Sequence, residues 1–395
     1  MKTKHFFCIL IVMLLGVSCS FDSKERDSLP CIDVTKSYPE KEVVLTDIAE
    51  VTFLCLESDR DDFLYNGRIS CISKNTIVIT ERNSGNILLF SKGGTPKSRF
   101  NKKGQGPNDY GNPASVIFDE EADEVFVYFM GGGIQVYSST GEHKRKIALP
   151  AEFATNSIYS FDKESIFLCD NMQLALGQKR EVTEETDYPV QFYNHPFVRI
   201  AKADGKVLDY VKLPNNETEL TFHADGRTMR IFTNPAISTE KGMLLCNPET
   251  DTVFLYDKNK VLIPVICKTP LVKDLDPMIV MNNCLDFGGY QFIDIVTLQY
   301  APGLAPGYPI KCLIRNKKTS EIFSQKITFP DYKGKDFFIG FGESQIFEEG
   351  VFYELELIEL KQAYNENRLN GKLKELVATL NENEDNNVFM FVDFH

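Results

Sequence analysis

Seven side chains of this 395-residue chain have the type and placement from which a site could be built. Asp170 and Asn171 follow the apolar run IFLC, and Asn247 follows MLLC. Oxygen donors at strand ends can gather around a hard cation. The same residues also cap turns through their own side chains, and that structural role competes with ligation at all three positions. Tyr193, His195, Tyr300 and Tyr308 lie in long polar excursions, and such amphipathic rings suit an interface. Covalent catalysis has no support. There is no Gly-x-Ser-x-Gly elbow, and His143, His195, His223 and His395 are not spaced as a metal pair. His143, in a hairpin, and the terminal His395 are expected to be solvated. No catalytic residue, metal ligand or cofactor is assigned.

KGQGPNDY, at Lys103 to Tyr110, looks like a phosphate loop but lacks both the Gly-Lys-Ser/Thr ending and the following helix. Gly104 and Gly106 are expected to supply positive backbone dihedrals in a crossing between two sheets. Pro107 would stiffen that crossing and Tyr110 would pack over it. Gly131 to Gly133 read as a tight turn.

The elements that must position these residues repeat. Arg99 to Pro150 reads as one four-stranded meander, and its second half recurs as FVRIAKADGKVLDYVKLP, TVFLYDKNKVLIPVICKTP and IKCLIRNKKTSEIFSQKITFP. The residues before the hairpin turns are Phe90, Tyr137, Ile200, Tyr256 and Ile314, spaced by 47, 63, 56 and 58. Blade repeats run about 40 to 50 residues, so the surplus is insertion. A sixth unit is read from Asp336 through FYELELIEL. Leu369, Leu373, Leu376, Val377 and Leu380 then recur at helical spacing, and VFMFVDF reads as a buried strand. The expected fold is all-β: a six-bladed β-propeller of four-stranded antiparallel blades, with a helical insertion in the last blade. Val43 to Leu56 is expected to close the ring against the final strands. A pair of β-sandwiches is the alternative architecture.

Long excursions are read at Asn171 to Pro196, Asn215 to Asn234, Leu271 to Gln291 and Gln299 to Pro309. In a propeller the links from second to third strand, and the crossings between blades, leave on one face. Function borne by loops on a rigid scaffold belongs there, although surface loops also gain length at little cost.

Met1 to Ser18 reads as an export signal, with Lys2 and Lys4 before an apolar stretch too short for a bilayer, which takes about 20 residues. Cys19 follows the small residues Gly16, Val17 and Ser18 and is the expected lipidation site. Residues 19–40 are expected to form a flexible tether and 41–395 the propeller. Eight further thiols sit mostly in apolar strand-like runs without C-x-x-C spacing. They read as small buried hydrophobes, and the sequence selects no disulfide pair. A formal charge of −13 argues against a nucleic-acid partner.

Together, the Cys19 signal, KGQGPNDY, the SSTGE and KADGK hairpins before strands ending in Leu-Pro, and the helix leading into NNVFMFVDF resemble the six-bladed propeller lipoproteins of Bacteroidota, related in fold to TolB-like and NHL-type propellers. That family usually carries Glu or a similar residue where Asp109 stands. The resemblance implies the fold and a cell-envelope address, periplasmic or at the outer-membrane surface, and no activity. The expected function is a binding or scaffold module for a protein, peptide or glycan, touching the membrane only through its lipid. A metal-dependent hydrolase or lyase with its site at the central channel is the alternative.

Overall fold

A computed structural model describes residues 29–58, 62–149, 155, 157–169, 197–211, 213, 220, 222–224, 227–229, 236–304, 307–340, 344–347 and 350–394. Blade one comprises Arg68–Ile72, Thr76–Thr80, Ile87–Ser91 and Pro96–Phe100; blade two Pro113–Asp119, Glu124–Phe129, Gly133–Tyr137 and His143–Ile147. Blade three comprises Ile158–Ser160, Ser165–Cys169, Phe197–Ala201 and Val207–Val211; blade four Ala236–Thr239, Gly242–Leu245, Thr252–Asp257 and Leu262–Thr269. Blade five comprises Ile279–Phe287, Tyr290–Thr297, Ile310–Asn316 and Ile322–Thr328; blade six Gln345–Phe347, Gly350–Leu355, Val388–Phe394 and, from the start of the chain, Ala49–Cys55. A two-stranded hairpin, Phe222–Ala224 with Arg227–Met229, stands between blades three and four in sequence.

Alternation along each strand explains the radial stack. In TIVIT, Val78 joins the cluster shared with blade two, through Tyr110, Val116 and Val127. Its neighbours Ile77 and Ile79 join the cluster shared with blade six, through Phe352 and Phe389. Successive side chains point to opposite faces, so a strand lying between two neighbouring blades must be apolar at every position. Outer strands such as PKSRF and HKRKI instead alternate half-buried and exposed residues before a buried last one. The five marker residues all lie in third strands, and at Phe90, Tyr137 and Ile200 a bulge shifts the register against the fourth strand.

The ring closes as expected: Ala49–Cys55 pairs antiparallel with Val388–Phe394, from Ala49 opposite Phe394 to Cys55 opposite Val388. Upstream of it the chain departs from expectation. Glu40–Val44 adds parallel to the outer strand of blade five, and Cys31–Asp33 adds parallel to the outer strand of blade four. Residues 31–33 of the stretch read as tether are therefore part of the ring, as an arm laid across successive blade edges. Ile32, Val34, Leu45 and Ile48 of the arm are buried in the cluster uniting blades four, five and six.

Three other readings are corrected. Ile279–Phe287 is the innermost strand of blade five, so the excursion read from Leu271 to Gln291 is confined to the short crossing before it. Asp336–Phe337 does not open blade six; it pairs with the outer strand of blade five. The end of the sixth unit is helical. Helix α1 (Leu357–Asn365) buries Leu357, Leu360 and Ala363 at helical spacing, and helix α2 (Gly371–Thr379) buries Leu373 and Val377. Both helices lie in the link between the second and third strands of blade six. Among the described residues, no helix is long and apolar enough to cross a membrane.

Candidate functional site

The two faces of the ring are built differently. First-to-second and third-to-fourth strand links are short turns, such as 73–75, 120–123, 240–241, 288–289 and 258–261. Every long connection leaves on the opposite face. These are the second-to-third links at 170–196, 298–309 and 356–387 and the crossings at 212–235 and 329–344. Cys169 and Phe197, which bound the first of them, are register partners, so that link leaves and re-enters at one edge. The same holds for Leu355 and Val388 around the helical insertion.

Two open clefts lie on this loop face. One, of about 710 Å³, is lined by Ser84, Asn101, Lys103, Gly104, Gln105 and Asn112 in the joint between blades one and two. The joint is held by Tyr110, which is fully buried. Its hydroxyl donates to the Gly85 carbonyl at 2.8 Å and accepts from the Lys102 N–H at 3.0 Å, and burial pushes the phenol up to about 12. Gln135 Nε2 donates to the carbonyls of Pro107 and Asp109, and Tyr137 Oη donates to that of Asn108. Gly104 and Gly106 are not left-handed. A Cβ on either would stand 2.2 or 2.9 Å from Asp109 Oδ2, so the carboxylate that accepts the Gly106 N–H would have to shift. The left-handed residue is Gly85, at φ 86°. His143, read as solvated, is half-buried against Tyr137 and bonded through Nε2 to Gln135 at 2.9 Å.

The second cleft, of about 550 Å³, lies between the crossing from blade five to six and helix α1. Arg368 and Lys335 place their cationic groups 5.6 and 5.8 Å from the ring centre of buried Tyr332, a cation–π arrangement. Lys335 also faces Glu359 at 3.7 Å, and Gln362 and Glu354 complete the wall. Burial raises the Glu354 carboxyl above its usual range, opposed by the Asn387 amide donating to it at 2.8 Å. The wall mixes donors and acceptors, as a hydrogen-bonding ligand requires, and neither cleft lining contains a histidine. The loop face also carries exposed apolar side chains: Met130, Leu304, Phe338 and Ile358, the last 66% exposed.

The expected site residues do not converge among the described residues. Cys19, Asp170, Asn171, Tyr193 and His195 lie outside the described residues. Asn247 is a turn cap: its Oδ1 accepts the Glu249 N–H and its carbonyl accepts the Thr250 hydroxyl. Tyr308 is buried with Val272, Val280, Val296 and Leu298, and half-buried Tyr300 packs on that cluster; Tyr308 therefore anchors its loop to blade five and presents no ring to a ligand. Among the described residues no three His, Cys, Asp or Glu side chains stand together as a metal site would need. The second cleft was missed, although the polar face of an amphipathic helix, with Glu359 and Gln362, was its sequence signal.

These features define a six-bladed β-propeller whose decorated face bears its clefts. A family model described as "6-bladed beta-propeller" matches residues 22–192. A crystal structure of a protein described as exported, from Bacteroides fragilis, is similar at a TM-score of 0.61 and 16% identity, covering 91% of this chain and 99% of that one. BamB from Moraxella catarrhalis is similar at 0.37 and 9%, covering 78% and 95%. A virginiamycin B lyase from Staphylococcus aureus is similar at 0.35 and 12%, covering 77% and 95%. No curated protein matches the sequence.

Proposed function

We propose that this protein is an exported, lipid-anchored binding module of the cell envelope, held through Cys19, whose loop face takes a protein or peptide ligand. The observation that carries this reading is the asymmetry of the ring: the long connections, both clefts and four exposed apolar side chains share one face. Four of the seven exposed large apolar side chains lie on this face, beside the clefts, and they favour a polypeptide surface over a glycan. The description of the Bacteroides fragilis relative as exported supports the address, and the signal-like Met1 to Ser18 followed by Cys19 supports the anchor.

Cross-linking in intact cells tests the face. Ile358→Asp combined with Leu304→Asp is expected to abolish cross-linked partners that Lys163→Ala, on the short-turn face, retains. Equal cross-linking by both variants would refute the assignment. Cys19→Ala is expected to move the protein from the membrane fraction to the soluble one, and continued membrane fractionation would remove the anchor.

A further inference from the structure

The parallel pairing of the arm with blade four brings two cysteines into register. Cys31 is the partner of Cys267, Ile32 of Lys268 and Asp33 of Thr269. The pairing is fixed on both sides of the cysteines, by the Cys267 N–H to the Pro30 carbonyl at 2.8 Å and the Val34 N–H to the Thr269 carbonyl at 2.9 Å. Register partners in a parallel pair have side chains on the same sheet face. Ile32 and Lys268 are both buried, Ile32 in the apolar cluster shared by blades four to six, and the two cysteines share the opposite face of the pair. Neighbouring strands lie about 4.7–4.9 Å apart, inside the Cα separation of about 4.4–6.8 Å that a disulfide spans.

We propose that Cys31 and Cys267 are a disulfide-forming pair that covalently staples the N-terminal arm to the outer edge of blade four. Cys31 is exposed, whereas Cys267 is 2% exposed beneath it, which sets the order of events. The Cys31 thiolate attacks a small-molecule or protein disulfide, forming a mixed disulfide and releasing one thiolate. The Cys267 thiolate then attacks Cys31 Sγ and releases the second. The oxidant ends as two thiols, the protein has lost two hydrogens, and one S–S bond joins the arm to the ring. Four of the other strand cysteines are poor competitors. Burial pushes Cys55 and Cys71 up to about 12 and raises Cys246 and Cys284 as well, and the thiolate is the reacting form. Exported proteins meet the oxidising conditions in which such bonds persist. If the chain is anchored through Cys19, the staple transfers a pull on the anchor directly to blade four.

The chemistry is testable on the full chain in solution, without reference to anchoring or ligand. The reduced protein is incubated with oxidised glutathione, alkylated with N-ethylmaleimide, digested and analysed by mass spectrometry. The expected result is a Cys31–Cys267 linked peptide, protection of both residues from alkylation, and a melting temperature several degrees above that of the reduced protein. Cys31→Ser, at an exposed position that leaves the ring intact, is expected to melt identically with and without the oxidant. Full alkylation of Cys31 after oxidation, its linkage to another cysteine, or a disulfide dimer through Cys31 would each overturn the proposal.

Discussion

Blades one to three and blades four to six are held together by different means. In the first half the polar ties are side chains: Tyr110 holds the joint of blades one and two on the loop face, and on the short-turn face most come from one acidic turn, DEEADE at Asp119 to Glu124. Asp119 takes Lys202 of blade three at 2.6 Å, Glu121 takes Lys163 at 2.6 Å, and Glu120 accepts from the Thr76 hydroxyl and Asn75 N–H of blade one. Arg145, paired with Glu124, reaches the Lys202 carbonyl. In the second half the tie is backbone: the arm pairs with blades five and four before closing blade six, and one large apolar cluster runs through all three blades.

The outer edges differ to match. The bare edges of blades one and two are basic, PKSRF and HKRKI, whereas the edges under the arm, LIPVICKT and IFSQKIT, carry a single lysine each. Charge on an uncovered edge discourages pairing with a second chain, and an edge already paired needs none. Blade three is intermediate, with a bare VLDYV edge on which Leu208 is 43% exposed.

The comparison is best broken where a tie is most deeply buried. In the covered half Lys268 and Asp251 pair at 2.7 Å with no exposure on either side, and Asp251 Oδ1 also accepts the Val272 N–H that starts the crossing to blade five. Asp251→Asn leaves the lysine charge buried without its counterion and is expected to cost about 3–5 kcal/mol in chemical denaturation. A loss below 1 kcal/mol would mean that the arm-side half does not rely on this pair.

The tie between blades two and three is shallower and titrates. Burial alone would raise the Asp119 carboxyl, but the hydrogen bond and charge of Lys202 hold it below its usual value. A depressed folded-state value gives stability that is present above the unfolded value of about 4 and lost as pH falls through the folded one. Lys202→Met is therefore expected to destabilise by about 1–3 kcal/mol at neutral pH. The gap to the wild type should narrow as pH drops below about 4 and Asp119 protonates. A gap independent of pH would assign the loss to packing.

The smallest effect on stability is expected at a bare edge. Lys146→Val, at an exposed position in the outer strand of blade two, should change stability by less than about 0.5 kcal/mol. It should nevertheless raise self-association on gentle heating, read by light scattering. An unchanged association rate would deny the basic edge its protective role.

Much of this architecture was legible in the chain. TIVIT, ILLFS and EVFVYF announce strands buried on both faces because each is apolar without a break, and the five hairpin markers fall in the five third strands. The closing strand and the second of the two helices were legible for the same reason: their periodicity is local. The arm was not, because EKEVV and CID are too short and too polar to announce themselves; they become strands only where an unpaired edge supplies the partner. Tyr308 misled because a tyrosine among prolines and glycines reads as a loop ornament, and only the packing of Val272, Val280 and Val296 around it reveals an anchor.

By itself, then, the sequence determined the repeat, the blade order and the placement of insertions on one side of the topology, because alternation and turn residues act over a few positions. Tertiary structure alone decided which edges the arm covers, how closely Gly104 and Gly106 approach the Asp109 carboxylate, and that Cys31 meets Cys267. Each of those joins residues whose encounter depends on how the ring closes, and no local pattern encodes that geometry.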